Sequence, residues 1–182
     1  MEVREKSFRI PILILLIISL IWSIMIVVSP LAINNNSIQD LSGYVGVIDN
    51  QQEIDDMDFP WDFIYGCGDR LCHQKAERSF VLNENQMPFC SRCSAIFIGI
   101  SIGLAIIFFY KIELDKKFII ILLIGLVPIG IDGLGQLFDL WESNNILRVL
   151  TGGLIGVLCG VAIGIIVDEL NTIRKNLKEI KK

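Results

Sequence analysis

Cys67, Cys72-His73 and Cys90-Ser91-Arg92-Cys93 place the only histidine of the chain and four of its five cysteines in a short stretch. Thiolate sulfur and imidazole nitrogen are ligands that zinc favours, and Cys72, His73, Cys90 and Cys93 supply a Cys₃His set for a tetrahedral site. Cys90 and Cys93 have the two-residue spacing of a ligand pair, and the gap from Cys72 to Cys90 suits the distance between pairs. The adjacent Cys72 and His73 are an irregular first pair, because both side chains reach one ion only from a bent backbone. A set using Cys67 instead of His73 avoids the bend and leaves the imidazole free.

Other chemistries draw on the same residues. In an oxidising compartment, Cys67 with Cys72 or Cys90 with Cys93 could form structural disulfides. Cys90-x-x-Cys93 at a helix N-terminus, near Arg92, could also serve as a catalytic thiol pair, its thiolate favoured by the helix dipole. Cys67-Gly-Asp-Arg-Leu-Cys72-His73 is a two-cysteine-plus-histidine arrangement like a haem attachment signal, but with four intervening residues instead of two. His73 beside Ser79 or a cysteine would suit a hydrolase, although no nucleophile-elbow pattern accompanies it.

The elements that position these groups are membrane helices. Of the 182 residues, 53% are hydrophobic, and the mean hydropathy is +0.60, far outside the soluble range. The charges, net −4, sit in blocks between apolar runs, and no basic, aromatic-rich surface points to nucleic acid. Four runs reach the ~20 residues a bilayer core requires: Ile10–Ile33, Cys93–Tyr110, Phe118–Leu140 and Ile146–Val167. The first follows Arg4, Lys6 and Arg9 as a signal peptide would, but it exceeds the usual ~7–15 apolar residues and lacks a small-x-small cleavage site, so it reads as an anchor. The expected fold is an all-α membrane protein, a four-transmembrane-helix bundle with a long extracytoplasmic loop carrying the Cys/His cluster.

Basic residues orient the bundle. The N-terminal tail, the loop Lys111–Lys117 and the tail after Val167 hold eleven of the sixteen, whereas loop 34–92 holds ten acidic residues against four basic ones. The positive-inside rule then places the protein in the cell membrane with both termini cytoplasmic and the cluster outside. Four parts are expected: an N-terminal anchor (1–33), an acidic extracytoplasmic loop (34–64), the cluster with a three-helix membrane core (65–167), and a basic cytoplasmic tail (168–182). Within the acidic loop, Tyr44, Val45, Val47 and Ile48 could form a strand or a turn-flanked coil.

Gly152, Gly156, Gly160 and Gly164 recur every four residues on the fourth span, and Ala95, Gly99 and Gly103 do so on the second, a pattern for close helix packing. Cys159 reads as a small buried residue. Asp132 and Gln136 share a face of the third span, where a charge costs about 2.5–3.5 kcal/mol on insertion scales. Arg148 is the expected ion partner of Asp132 or Asp139, with Asn144, Asn145 and Thr151 at the same depth. Such a pair could serve only to tie helices together. If the third span crosses fully, one outward pocket gathers these groups with the cysteines; Pro128 and the glycines at 125, 130, 133 and 135 leave a re-entrant course open.

Cys72-His73-Gln74, Glu77-Arg78-Ser79-Phe80, Cys90-x-Arg92-Cys93, Asp132-Gly133-x-x-Gln136 and Asn145-x-x-Arg148-x-x-Thr151-Gly152 together resemble a family of small bacterial and archaeal membrane proteins, domain of unknown function 2085. The resemblance covers roughly residues 65–165. It marks Cys72, His73, Gln74, Arg78, Ser79, Cys90, Arg92, Cys93, Asp132, Gln136, Arg148 and Thr151 as motif positions, leaves Cys67 outside the motif, and implies no activity.

The residues themselves suggest more. Arg78, Arg92 and Arg148 suit phosphate or carboxylate groups. A zinc-dependent enzyme acting on an anionic lipid headgroup or a polyprenyl phosphate would take Asp132, Gln136, Arg148 and Arg78 as its catalytic groups. Its difficulty is that Cys72, His73, Cys90 and Cys93 fill all four places on zinc. The alternatives are a non-enzymatic membrane subunit or small transporter with a structural zinc or disulfide, and a thiol-disulfide redox protein using Cys90-x-x-Cys93.

Overall fold

The computed structural model describes residues 10–180. Arg4, Lys6, Arg9, Lys181 and Lys182, which contribute to the charge bias, lie outside the described residues. Four helices are long and apolar enough to cross a membrane: α1 (Ile10–Ala32), α4 (Ser91–Phe109), α5 (Lys116–Leu137) and α6 (Asn145–Ile180). Between α1 and α4 lie two short helices, α2 (Gln51–Asp55) and α3 (Trp61–Leu71), and a two-stranded hairpin of β1 (Val81–Leu82) and β2 (Asn85–Gln86). The four-span all-α architecture expected from hydropathy is the one found.

Boundaries shift by a few residues, with one larger difference, at the end of the fourth span. The third span is one continuous helix despite Pro128, capped by Asp115, whose carboxylate accepts from the Phe118 amide at 2.8 Å. The fourth does not stop near Val167 but continues to Ile180, because the polar segment that follows still has good helix formers and no glycine or proline. The Tyr44–Ile48 segment is a turn, with Gly46 at φ 91°.

α4 and α6 form the spine of the bundle. A Cβ on Gly99 would lie 2.5 Å from the Gly153 carbonyl, and one on Gly152 would lie 2.6 Å from the Arg92 carbonyl. Gly103, Gly156 and Gly160 also face backbone of the opposite helix. The two backbones touch because no side chains intervene, which is how small-residue stripes build membrane interfaces. α1 packs on the other side of α4 and adds a polar tie: the hydroxyls of Ser19 and Ser23 lie 2.7 and 3.1 Å from that of Ser101. Trp22 of α1 meets Phe63, Phe89 and Phe97 edge-to-face. α5 rests mainly on α6, with Leu158 seated against Gly125 and Trp141 against Gly135.

The cap over α1 and α4 has little regular structure, so side chains satisfy its backbone. Asn85 is fully buried; its Oδ1 accepts from the Ser37 and Ile38 amides at 2.8 and 3.0 Å, and its Nδ2 donates to the Pro30 and Asn34 carbonyls at 3.0 and 2.9 Å. Gln86, equally buried, accepts from the Leu41 amide at 3.1 Å and donates to the Gln74 carbonyl. Buried polar groups without such partners would each cost ~1–3 kcal/mol. Ile38, Leu41, Ile54 and Tyr65 form a small apolar core beneath this lattice.

The glycine spine gives a contrast within one helix. Gly156→Ala should lower stability in detergent by about 1–3 kcal/mol through overpacking. Gly153→Ala, where an added Cβ meets nothing within 4 Å, should be neutral or gain up to ~1 kcal/mol of helix propensity. Equal thermal midpoints for the two variants would contradict the close α4–α6 contact.

Candidate metal centre and polar cluster

α3 ends at Cys72, whose backbone is extended (φ −136°, ψ 148°). Successive side chains of extended backbone point to opposite sides, so Cys72 turns inward and His73 away. Cys90 is the N-cap of α4 and Cys93 the third residue of that helix, which brings both sulfurs to its first turn. The Sγ atoms of Cys72, Cys90 and Cys93 all lie within 4.8 Å of one another. Cys72 and Cys90 are buried with Ile26, Ile64, Met87 and Phe89, and Cys93 and Phe97 pack against that core. The Cys90 amide donates to Cys72 Sγ at 3.4 Å.

The structure thus brings together three of the four ligands expected from spacing. The His73 imidazole is not among the converging atoms; its Nδ1 instead accepts from the Lys75 amide at 3.1 Å. Burial lowers the His73 pKa, favouring the neutral ring. Cys67, on α3, packs beside the same apolar core but is not in the group, and burial raises its thiol pKa. Cys159 is half-buried in α6, away from the trio.

Three thiols in an apolar pocket are not independent. Donation from Cys90 and Cys93 holds the Cys72 thiol far below its ordinary range. The same contact with Cys72 pushes Cys90 upward. Sulfurs bonded to one tetrahedral zinc at about 2.3 Å would stand about 3.8 Å apart, so a small contraction of the trio suffices. Cys72, Cys90 and Cys93 could hold a metal ion.

The charged residues gather at the same end of the bundle. Arg92, between Ser91 and Cys93, reaches across to α5 and pairs with Asp132 Oδ2. This corrects the expected pairing of Asp132 or Asp139 with Arg148. The first turn of α4 lies close enough to offer its own guanidinium, while Arg148 donates to Gln136 Oε1 at 3.3 Å and Asn145 Oδ1 at 3.2 Å. Gln136 Nε2 donates to the Asp132 carbonyl at 2.9 Å. Thr151 donates back to the Leu147 carbonyl at 2.9 Å, a local bond within α6.

Ser91, which spacing arguments passed over, joins cap to helices. Its hydroxyl lies 2.9 Å from both the Arg78 carbonyl and Asn145 Oδ1. Asn145 Nδ2 donates to the Ser79 carbonyl at 3.4 Å. Gln74 is fully buried and donates to the Pro88 carbonyl at 2.8 Å. Arg148 lies within electrostatic reach of Arg78, Arg92, Asp132 and Cys90. Nε of Arg78, Nε of Arg92 and Oδ1 of Asp132 are buried without hydrogen-bond partners. Because consecutive helical residues are turned by about 100°, Arg92 and Cys93 serve neighbouring sides of α4, and the cleft lined by Asp132 contains none of the three cysteines.

The family model described as Predicted membrane protein (DUF2085) matches residues 72–166, from the first cysteine of the trio into α6. An uncharacterized protein of Methanocaldococcus jannaschii is 36% identical over 104 residues, 53% of this chain and 65% of that protein. An uncharacterized protein of Methanothermobacter thermautotrophicus is 35% identical over 82 residues, 45% of this chain and 74% of that protein. The chain therefore spans just under two thirds of the length of the Methanocaldococcus relative. No solved structure matches. With the cysteine trio, the arginine–aspartate pair and the glycine spine of α6 all inside the matched region, the chain belongs to the family of predicted membrane proteins called domain of unknown function 2085.

Proposed function

We propose that this membrane protein holds a zinc ion through Cys72, Cys90 and Cys93, and that Arg78, Arg92 and Arg148 beside it bind the anionic headgroup of a lipid or polyprenyl phosphate. The observation that carries the metal reading is the convergence of three sulfurs, where a redox pair needs only two. Their burial favours it too, since thiol exchange requires access for an incoming thiolate. Thiolates of Cys90 and Cys93 would also sit at the positive end of the α4 dipole.

Three protein ligands leave a tetrahedral ion one position short, as in catalytic rather than closed sites. In that position a bound ion would supply Lewis acidity or an acidified water. Without His73 in the ligand set, the objection that four residues fill the ion falls away, and His73 stands near Arg78 as a neutral ring whose Nε2–H is the donor, since Nδ1 accepts from the Lys75 amide. Three guanidinium groups against two carboxylates, Asp132 paired with Arg92 and the exposed Glu77 3.7 Å from Arg78, leave positive charge where an anion is expected. Arg148 and Gln136 would orient the headgroup, Arg78 would meet it from the cap, and Asp132 would fix Arg92. The positive-inside bias supports a cytoplasmic position for both termini, which puts this site at the outer leaflet.

Purified protein should contain about one zinc per chain. After chelation and unfolding without reductant, all five cysteines should react as thiols; only three would mean a disulfide and would end the metal reading. Cys72→Ser, Cys90→Ser and Cys93→Ser should each lose the metal, whereas Cys67→Ser and His73→Ala should keep it.

The charge pair has its own test. Asp132→Leu leaves Arg92 without its partner and should cost about 3 kcal/mol or more. The double variant Arg92→Leu/Asp132→Leu should regain most of that stability yet fail to retain anionic lipid through purification. If the double variant retained as much anionic lipid as the native protein, the pair would be a helix tie and nothing more.

A further inference from the structure

Asp132 has two oxygens and only one is accounted for. Oδ2 is taken by Arg92, while Oδ1 is buried and has no partner. The residue is 2% exposed, so this is an acceptor removed from water and left unpaired, which destabilises the fold. Native structures seldom leave such a group without a reason.

Asp132 lines a cleft between α5 and α6 with a volume of about 320 Å³, walled by Val127, Ile131, Trp141, Leu147 and Thr151. Val127, Ile131 and Leu147 are also exposed on the outer, lipid-facing surface of the bundle, so the cleft opens sideways into the bilayer. Asp132 lies five positions before the end of α5 at Leu137, about 7.5 Å along the helix. Gln136 and Arg148 carry the polar cluster on from there toward the Leu137 end of α5, so a lipid chain in the cleft would have its polar head at that end. The walls suit a hydrocarbon chain, the guanidinium groups of Arg92 and Arg148 lie on the headgroup side, and of the ion pair's buried atoms Asp132 Oδ1 still lacks a donor and Arg92 Nε an acceptor, the two roles a hydroxyl offers.

We infer that the α5–α6 cleft is a lateral subsite for a phosphodiester lipid with a free hydroxyl in its headgroup, the hydroxyl donating to Asp132 Oδ1 and a chain lying between Ile131 and Leu147. This rests on the anionic-headgroup reading above and adds two requirements, a hydroxyl next to the phosphate and entry from within the membrane. Thr151 does not supply the donor, because its proton is directed to the Leu147 carbonyl; its free lone pairs make the cleft still more a place for donors.

Phosphatidylglycerol and phosphatidylmethanol carry the same charge and differ in the headgroup hydroxyls, so the pair isolates that contact. Full-length protein reconstituted in nanodiscs of phosphatidylcholine doped equally with the two lipids, then released for native mass spectrometry, should retain phosphatidylglycerol about tenfold over phosphatidylmethanol. Leu147→Trp, at a position exposed enough to tolerate the larger ring, fills the cleft while leaving Arg92–Asp132 intact; it should abolish the preference with metal content unchanged. Equal retention of the two anionic lipids, both above phosphatidylcholine, would overturn the hydroxyl subsite and leave the headgroup reading standing. Retention of neither above phosphatidylcholine would overturn both. A preference that survives Leu147→Trp would remove the subsite from this cleft.

Discussion

The backbone contact between α4 and α6 is the constraint on which the rest depends. With glycine at each meeting point, carbonyls of one helix lie against the Cα atoms of the other, and the two helices are fixed at van der Waals distance. That distance sets the relative level of their N-termini. Arg92 and Gly152 touch at the top of the seam, so Ser91 reaches Asn145 and the cap segment at Arg78 and Ser79 is held over both helix starts. A wider spacing would part the sulfur cluster from the charges without altering any residue in either.

Four consecutive residues at the start of α4 then distribute the chemistry. Cys90 and Cys93 turn toward Cys72 and the aromatic layer under the cap; Ser91 turns toward Asn145, and Arg92 toward Asp132. Helical rotation of about 100° per residue is what sends neighbours in sequence to different partners. The cap contributes Cys72 by ending α3 in extended backbone, and Asn85 and Gln86 hold that ending by tying the hairpin to the segments around it. The three cysteines that could hold a metal thus come from two elements whose separation is controlled by buried side-chain amides rather than by a sheet or a disulfide.

Much of this was legible in the sequence. Long apolar runs give the four spans, and the period-four glycines name the helices that touch. Cys72, Cys90 and Cys93 stood out by residue type and spacing. What failed was local direction. Spacing cannot tell that Cys72 and His73 diverge, which follows from the extended backbone at Cys72, nor that Arg92 outcompetes Arg148 for Asp132, which follows from how near the first turn of α4 lies to α5. The lattice around Asn85 and Gln86 was invisible because an amide side chain in a polar loop looks the same whether it faces water or organises the cap. The helix beyond Val167 was missed because hydropathy reports where a bilayer ends, not where a helix does.

The central claim is a three-sulfur metal centre with a lighter fourth ligand, and X-ray absorption at the zinc edge of the purified full-length protein tests it most directly. The account predicts three sulfur neighbours at about 2.3 Å and one oxygen or nitrogen at about 2.0 Å. A shell of four sulfurs, or protein that carries no metal and takes none up when all its thiols are free, would contradict it.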